Sequence, residues 1–162
     1  MASRRNESIS GFPSRGSVSI DYRVPYADTD QMGVVYYAEY LVYFERLRNE
    51  LLRRSAVTYK EWEARGLRLP VVQVYCRYFA PAHYDDILRI TGWVASAAGV
   101  KIRIDYRVIR EETLLAEGYT VHATLSAAGR PVKIPVELSR MVPDDCWRDG
   151  EDSGRGEKCS KR

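Results

Sequence analysis

Two acids, Asp28 and Asp30, stand two apart in the stretch YADTDQMG (26–33), directly ahead of a long segment with apolar residues at helical spacing. A carboxylate in that position has two uses. It can cap the coming helix by accepting backbone N–H bonds. It can also act as general base or nucleophile on a carbonyl whose oxygen is held by the free N–H groups of the same helix start. Asp28 is assigned to a turn or cap. Thr29 suits a turn but is also placed to orient Asp30, and Gly33 permits a close backbone approach to a ligand. Tyr36, Tyr37, Tyr40 and Tyr43 follow. An aromatic stripe at this spacing reads first as core, with part of it free to line an apolar pocket.

The other reactive side chains imply less. Cys76, Cys146 and Cys159 have no metal-ligand spacing, with only His83 and His122 to supplement them, so no metal site is expected. His122 falls beside small residues in a strand pattern and reads as a structural histidine, and Cys76 as an inert thiol among apolar neighbours. Glu45 reads as a member of an ion pair on the helix surface. Arg130 and Lys133 flank the Gly129 turn; they are solvated surface charges by default and candidate contacts for ligand phosphates.

These residues need elements to hold them. Tyr40, Phe44, Leu47 and Leu51 recur on one helical face, widened by Leu41 and Leu52, with Glu39, Arg46, Glu50 and Arg53 opposite, and the helix ends near Arg54. Before it, Val18, Ile20, Tyr22 and Val24 alternate with polar residues as a strand that Pro25 closes. After it come a short helix over 59–65 stopped by Gly66, strands over 71–79, 86–94, 100–110 and 114–126, a turn at Gly129, a last short strand at VKIP (132–135), and a helical turn over 136–141. Short links between the strands predict an antiparallel meander. Its apolar face must be covered, and the central helix is the element large enough to do so, which gives the α+β class.

The chain has 162 residues, 45% of them hydrophobic, enough for a single core. The reading is one domain over 17–142 between flexible tails at 1–16 and 143–162. No apolar run is long enough to span a membrane and the N-terminus lacks the apolar middle of a secretory signal, so membrane insertion is not expected and the chain reads as cytoplasmic. A formal net charge of +3 suits anionic ligands such as nucleotide phosphates and is too mild to argue for nucleic acid.

The segment DTDQMGVVYYAEYLVYFERLRNELL, supported by LPVVQVYCRYFAPAHYDD and HATLSAAGRPVKIP, resembles the signature of the 4-hydroxybenzoyl-CoA thioesterase family, in its branch of small acyl-CoA thioesterases. The resemblance covers roughly 17–142. It implies the hotdog fold, a sheet wrapped around one long helix, and hydrolysis of an acyl or aroyl thioester without a cofactor. It implies Asp30 as the catalytic carboxylate and a backbone N–H at or near Tyr37 as oxyanion donor. Tyr26, Gly33, Val34, Val35, Tyr36, Arg130 and Lys133 are then the expected substrate contacts. It also implies a homodimer, commonly paired again into a tetramer, with active sites at the subunit interface. In the branch tied to the bacterial Tol-Pal envelope system, a Tyr stands four before the acid, as Tyr26 does, and a His seven after it, where this chain has Tyr37. Two other readings fit the same motif: an acyl-carrier-protein thioesterase, and a protein that binds acyl thioesters without cleaving them.

Overall fold

The computed structural model describes residues 13, 16–54 and 57–143. Most of both expected tails, with Cys146 and Cys159, lies outside these residues. The alternation from Val18 forms β1 (Val18–Arg23). Pro25 ends it, a 3-10 turn at Tyr26–Asp28 redirects the chain, and the loop over 29–38 leads into α1 (Glu39–Arg53). The short α2 (Tyr59–Ala64) opens on a capping box between Thr58 and Glu61 and is followed by Gly66 at φ +76°. Then come β2 (Val71–Tyr78), β3 (Ile87–Ala98), β4 (Lys101–Arg110), β5 (Thr113–Ala123) and the single turn α3 (Val136–Ser139).

All the strands pair antiparallel in one sheet ordered β1-β3-β4-β5-β2. This corrects the expected meander, which holds only for β3 to β5. The link from β2 to β3 is too long for a tight hairpin, and its Ala82 and His83 pair with the loop ahead of α1: the Val35 N–H donates to the Ala82 carbonyl at 2.8 Å and Val34 bridges His83. The chain therefore leaves β2 at one edge and re-enters the sheet as β3 beside β1. The short strand expected at VKIP is also absent. Val132 and Ile134 each donate one isolated bond, to Thr124 and Gly99, and the flanking Pro131 and Pro135 have no N–H with which to extend a ladder.

Tyr40, Tyr43, Phe44, Leu47, Leu51 and Leu52 of α1 are buried against a sheet face built from Leu88, Ile90, Val94, Ile102, Ile104, Tyr106 and Val108. Phe44 stacks on Tyr106 with ring centroids 4.4 Å apart. Leu41 is a further correction, being exposed together with Val42. It shares a flank with Leu52, but α2 packs on α1 toward the end that carries Leu52, leaving the N-terminal half of that flank open.

Candidate active site

The loop between the 3-10 turn and α1 folds back on itself. The Asp30 N–H donates to the Val34 carbonyl and the Gly33 N–H to the Asp30 carbonyl, both at 2.9 Å, while Thr29 bridges Val35. Gly33 has φ +75°, and a Cβ there would meet nothing within 4 Å. The glycine is therefore set by the left-handed backbone of the turn, and the space beside it is open.

The two acids of this loop have different surroundings. Asp28 Oδ2 accepts the hydroxyls of Tyr22 at 2.9 Å and Tyr43 at 2.8 Å, whose rings lie 4.9 Å apart. One carboxylate thereby ties β1, the loop and α1 together. Burial, and after it the Asp28 contact, raises the pKa of both phenols, so they remain donors. Thr29 has the turn role, its hydroxyl donating to the Tyr26 carbonyl at 2.7 Å. The Asp30 carboxylate accepts, among the described residues, only the Met32 N–H, at 2.8 Å through Oδ1. Its second oxygen has no hydrogen-bond partner among the described residues.

The start of α1 has no side-chain cap at Ala38. The Glu39 N–H donates to the Tyr36 carbonyl and the Tyr36 N–H to the Asp28 carbonyl, each at 2.9 Å. The Tyr37 N–H, two residues ahead of the first helical residue, has no backbone partner among the described residues, and the positive end of the helix dipole lies beside it. The rings of Tyr36 and Tyr37 are 4.6 Å apart. The Tyr36 phenol is shifted up, first by its hydrogen bond to Tyr37 and least by the charge of Asp30. Tyr78, a residue the sequence reading passed over, donates its hydroxyl to the Tyr37 carbonyl at 2.9 Å. Asp86 was missed as well. Burial disfavours its charge, yet Arg110 at 2.7 Å and the His83 N–H at 2.8 Å hold its carboxyl below the usual range, fixing the segment that carries Ala82. Tyr78 escaped notice because its partner Tyr37 lies 41 residues away, whereas Asp86 joins the local His83 N–H to Arg110, 24 residues on.

The remaining expected contacts divide. Tyr26 is exposed, edge-on to Tyr84 at 5.9 Å, and Val34 is half-buried. In this extended stretch the Val35 side chain alternates into the core and its N–H donates to the Ala82 carbonyl. Arg130 and Lys133 are exposed beyond the far end of β5. The opposite end of that strand, where Leu115 accepts the Phe79 N–H, is on the Asp30 side. The strand is eleven residues long, about 33 Å from end to end, so the chain by itself does not bring these cations to Asp30.

His122 belongs to the core. Its Nδ1–H donates to the Leu69 carbonyl at 3.1 Å, which leaves Nε2 to accept from Thr120 at 2.8 Å, and Thr120 in turn meets the Tyr106 hydroxyl at 2.8 Å. Burial, the largest cause, pushes the imidazole down to about 4, so it is neutral at pH 7. Among the described residues no group of His, Cys, Asp or Glu could hold a metal, and no helix is long and apolar enough to cross a membrane.

An open carboxylate oxygen, an unpartnered N–H at a helix start and adjoining aromatic rings are what attack on an activated carbonyl requires. An acid so placed can supply or activate a nucleophile, and such an N–H can meet an oxygen as it becomes negative. Comparison with known proteins identifies the family. The thioesterase-like superfamily matches residues 24–142. The chain is 35% identical over 126 residues to a putative acyl-CoA thioesterase, YneP, of Bacillus subtilis (strain 168), covering 76% of this chain and 88% of the relative. It is 38% identical over 96 residues to the acyl-CoA thioester hydrolase YbgC of Escherichia coli O157:H7, covering 59% and 72%. A crystal structure of a hypothetical protein from Thermus thermophilus superposes with a TM-score of 0.71 at 36% identity, over 76% of this chain and 95% of that one. The chain belongs to the thioesterase-like superfamily, as a thioester hydrolase built on the α+β hotdog fold.

Proposed function

We propose that this enzyme hydrolyses an acyl- or aroyl-CoA thioester to the free acid and CoA, with Asp30 as general base or nucleophile and the Tyr37 N–H as oxyanion donor. The observation that carries the reading is the contrast between the two acids. Asp28 is occupied by two tyrosine hydroxyls, whereas Asp30 keeps one oxygen open beside the helix start. Relatives named as acyl-CoA thioesterases support the substrate class. Tyr26 matches the Tol-Pal-associated branch, but Tyr37 stands where that branch has its His, so the base-assisting role of that His does not carry over. A thiolate leaves readily, and no separate acid is needed.

The proposed working unit is a homodimer through β2, with pairing of dimers as a further step. β2 is an edge strand with apolar side chains exposed on both faces, Val72 at 54%, Val74 at 46% and Tyr75 at 46% among them, and an open edge of this kind is a template for another strand. Antiparallel pairing with a second copy sets the Val71 end of one strand against the Tyr78 end of the other. It thereby carries the partner subunit's Arg130 and the partner subunit's Lys133 toward Asp30, where they can meet CoA phosphates.

The test is thiol release across short, medium, long and aromatic acyl-CoAs. Asp30→Asn is expected to lower kcat on the best of these by on the order of a hundredfold or more while the protein stays folded and assembled. A folded Asp30→Asn protein with most of its activity would refute the assignment.

A further inference from the structure

We infer that Tyr78 is a positioning residue for the reaction: by holding the Tyr37 carbonyl, its hydroxyl fixes the peptide unit that carries the Ala38 N–H, and with it the backbone dihedrals of Tyr37 at the start of α1. The inference rests on the proposed reading of that helix start as the oxyanion site.

Peptide planes supply the link. In a planar trans peptide the carbonyl and the following N–H point in opposite directions, so whatever fixes one fixes the other. The unit carrying the Tyr37 N–H is held at its other side, where the Tyr36 carbonyl accepts the Glu39 N–H at 2.9 Å. The next unit, carrying the Ala38 N–H, is held where the Tyr37 carbonyl accepts the Tyr78 hydroxyl at 2.9 Å. With both planes anchored, the backbone dihedrals of Tyr37 between them are set. Ala38 offers no side-chain cap that could replace the second anchor. Without Tyr78 that plane is free to turn, so the backbone on the helix side of the proposed Tyr37 donor must be organised during the reaction instead of beforehand.

Tyr78 is itself well placed for this task. It pairs with Ala116 in the β2–β5 ladder, and its ring lies edge-on to buried Tyr40 with centroids 5.2 Å apart at 78°. Burial, and then the neighbouring Cys76, shifts the phenol upward, so the hydroxyl stays protonated and must donate to a carbonyl that can only accept. Folding does not demand the bond. Tyr37 is 62% exposed and Tyr78 44% exposed, so water can satisfy both groups if they part. The contact joins an edge strand to a surface loop beside the proposed catalytic acid, a place where loss of aim matters more than loss of stability.

Tyr78→Phe keeps the ring and removes only the donor. On the acyl-CoA turned over fastest by the wild type, it is expected to lower kcat by about tenfold or more, since small misplacements of reacting groups have large kinetic effects, with KM, thermal midpoint and oligomeric state near wild type. Tyr119→Phe, which removes a hydroxyl that meets Gln73 away from the helix start, leaves kcat unchanged. In an Asp30→Asn background that retains uncleaved thioester, adding Tyr78→Phe moves the infrared carbonyl stretch of bound substrate toward its value in free solution. Unchanged kcat in Tyr78→Phe overturns the inference, as does a loss tracked entirely by KM, by stability or by dissociation. If Asp30→Asn is inactive while Tyr78→Phe is not impaired, the inference alone fails; if Asp30→Asn retains activity, the reading beneath it fails and the inference with it.

Discussion

At the residue scale, hydrogen-bond partners separate two acids that the sequence sets two positions apart. Asp28→Ala leaves the Tyr22 and Tyr43 hydroxyls without their acceptor. Bonds to a charged group contribute roughly 1.5–3 kcal/mol each, so we expect a loss of about 3 kcal/mol and a drop in Tm of about 6–12 °C for a chain of this size. Asp30→Asn should stay within about 2 °C of wild type, since its one protein bond is from the Met32 N–H. Scanning calorimetry of both variants checks this, and a larger loss in Asp30→Asn would reverse the structural assignment. His122 gives a pH prediction. Its pKa falls from 6.5 to about 4 in the fold through burial, opposed by the bond to Leu69. Above pH 6.5 it is neutral folded and unfolded, and stability is indifferent to it. Below that the unfolded chain takes up a proton that the folded chain refuses, so stability falls as pH falls, by about 1.4 kcal/mol per unit until the folded state also protonates near pH 4. Urea midpoints between pH 7 and 5 should drop more steeply for wild type than for a folded His122→Gln variant; equal slopes would remove His122 as the cause. The sequence pointed to Asp30 because its motif is local. The use of Asp28 was hidden, since one of its partners, Tyr43, lies fifteen residues on and acts through its hydroxyl rather than its helical spacing.

At the element scale, α1 can lie on the sheet only where the sheet has no side chains in the way. A Cβ at Gly118 would approach Phe44 Cε2 to 2.9 Å and press on the Tyr75 carbonyl, while one at Gly92 would meet Leu47 and come within 2.9 Å of the Asp105 carbonyl. Gly118→Ala is expected to destabilise by about 2–3 kcal/mol. Because one obstacle is the backbone of β2, the loosening should concentrate there. Hydrogen exchange should show β2 amides losing protection ahead of β3 and β4, and uniform loss would mean that the methyl is absorbed elsewhere. Element types were largely legible: β4 alternates cleanly because one face meets α1, and the capping box of α2 is a local signal. Strand order was not. β2 is exposed on nearly every residue, so its pattern names no buried face, and its pairing with β5 instead of β3 is decided by the contacts of the link at Ala82 and His83. Leu41 failed for a related reason. Helical periodicity gives a direction from the axis, whereas burial needs a neighbour in that direction.

At the scale of the whole molecule, one protomer carries an incomplete version of the proposed site: the acid, the donor and the aromatic pair lie at one end of the sheet, and Arg130 and Lys133 beyond the other. The proposed pairing through β2 would resolve this, and its consequence is separable from simple folding. Val74→Lys puts a charge on the exposed apolar edge and should yield a folded monomer by sedimentation, with activity lost alongside assembly. A decisive version mixes two inactive or weakened proteins. Asp30→Asn lacks the acid, and Arg130→Ala/Lys133→Ala lacks the cations and is expected to raise KM for acyl-CoA. Each alone has only defective sites. After mixing and subunit exchange, a heterodimer joins the intact Asp30 of the cation-deficient chain to the intact cations of the Asp30→Asn chain, so one of its two sites is whole. A component with wild-type KM should therefore appear in the mixture and grow as exchange proceeds. If Arg130 and Lys133 instead served the Asp30 of their own chain, both heterodimer sites would carry one defect or the other. No such component would then emerge at any mixing ratio, and the composite site would have to be abandoned even if the dimer itself were found.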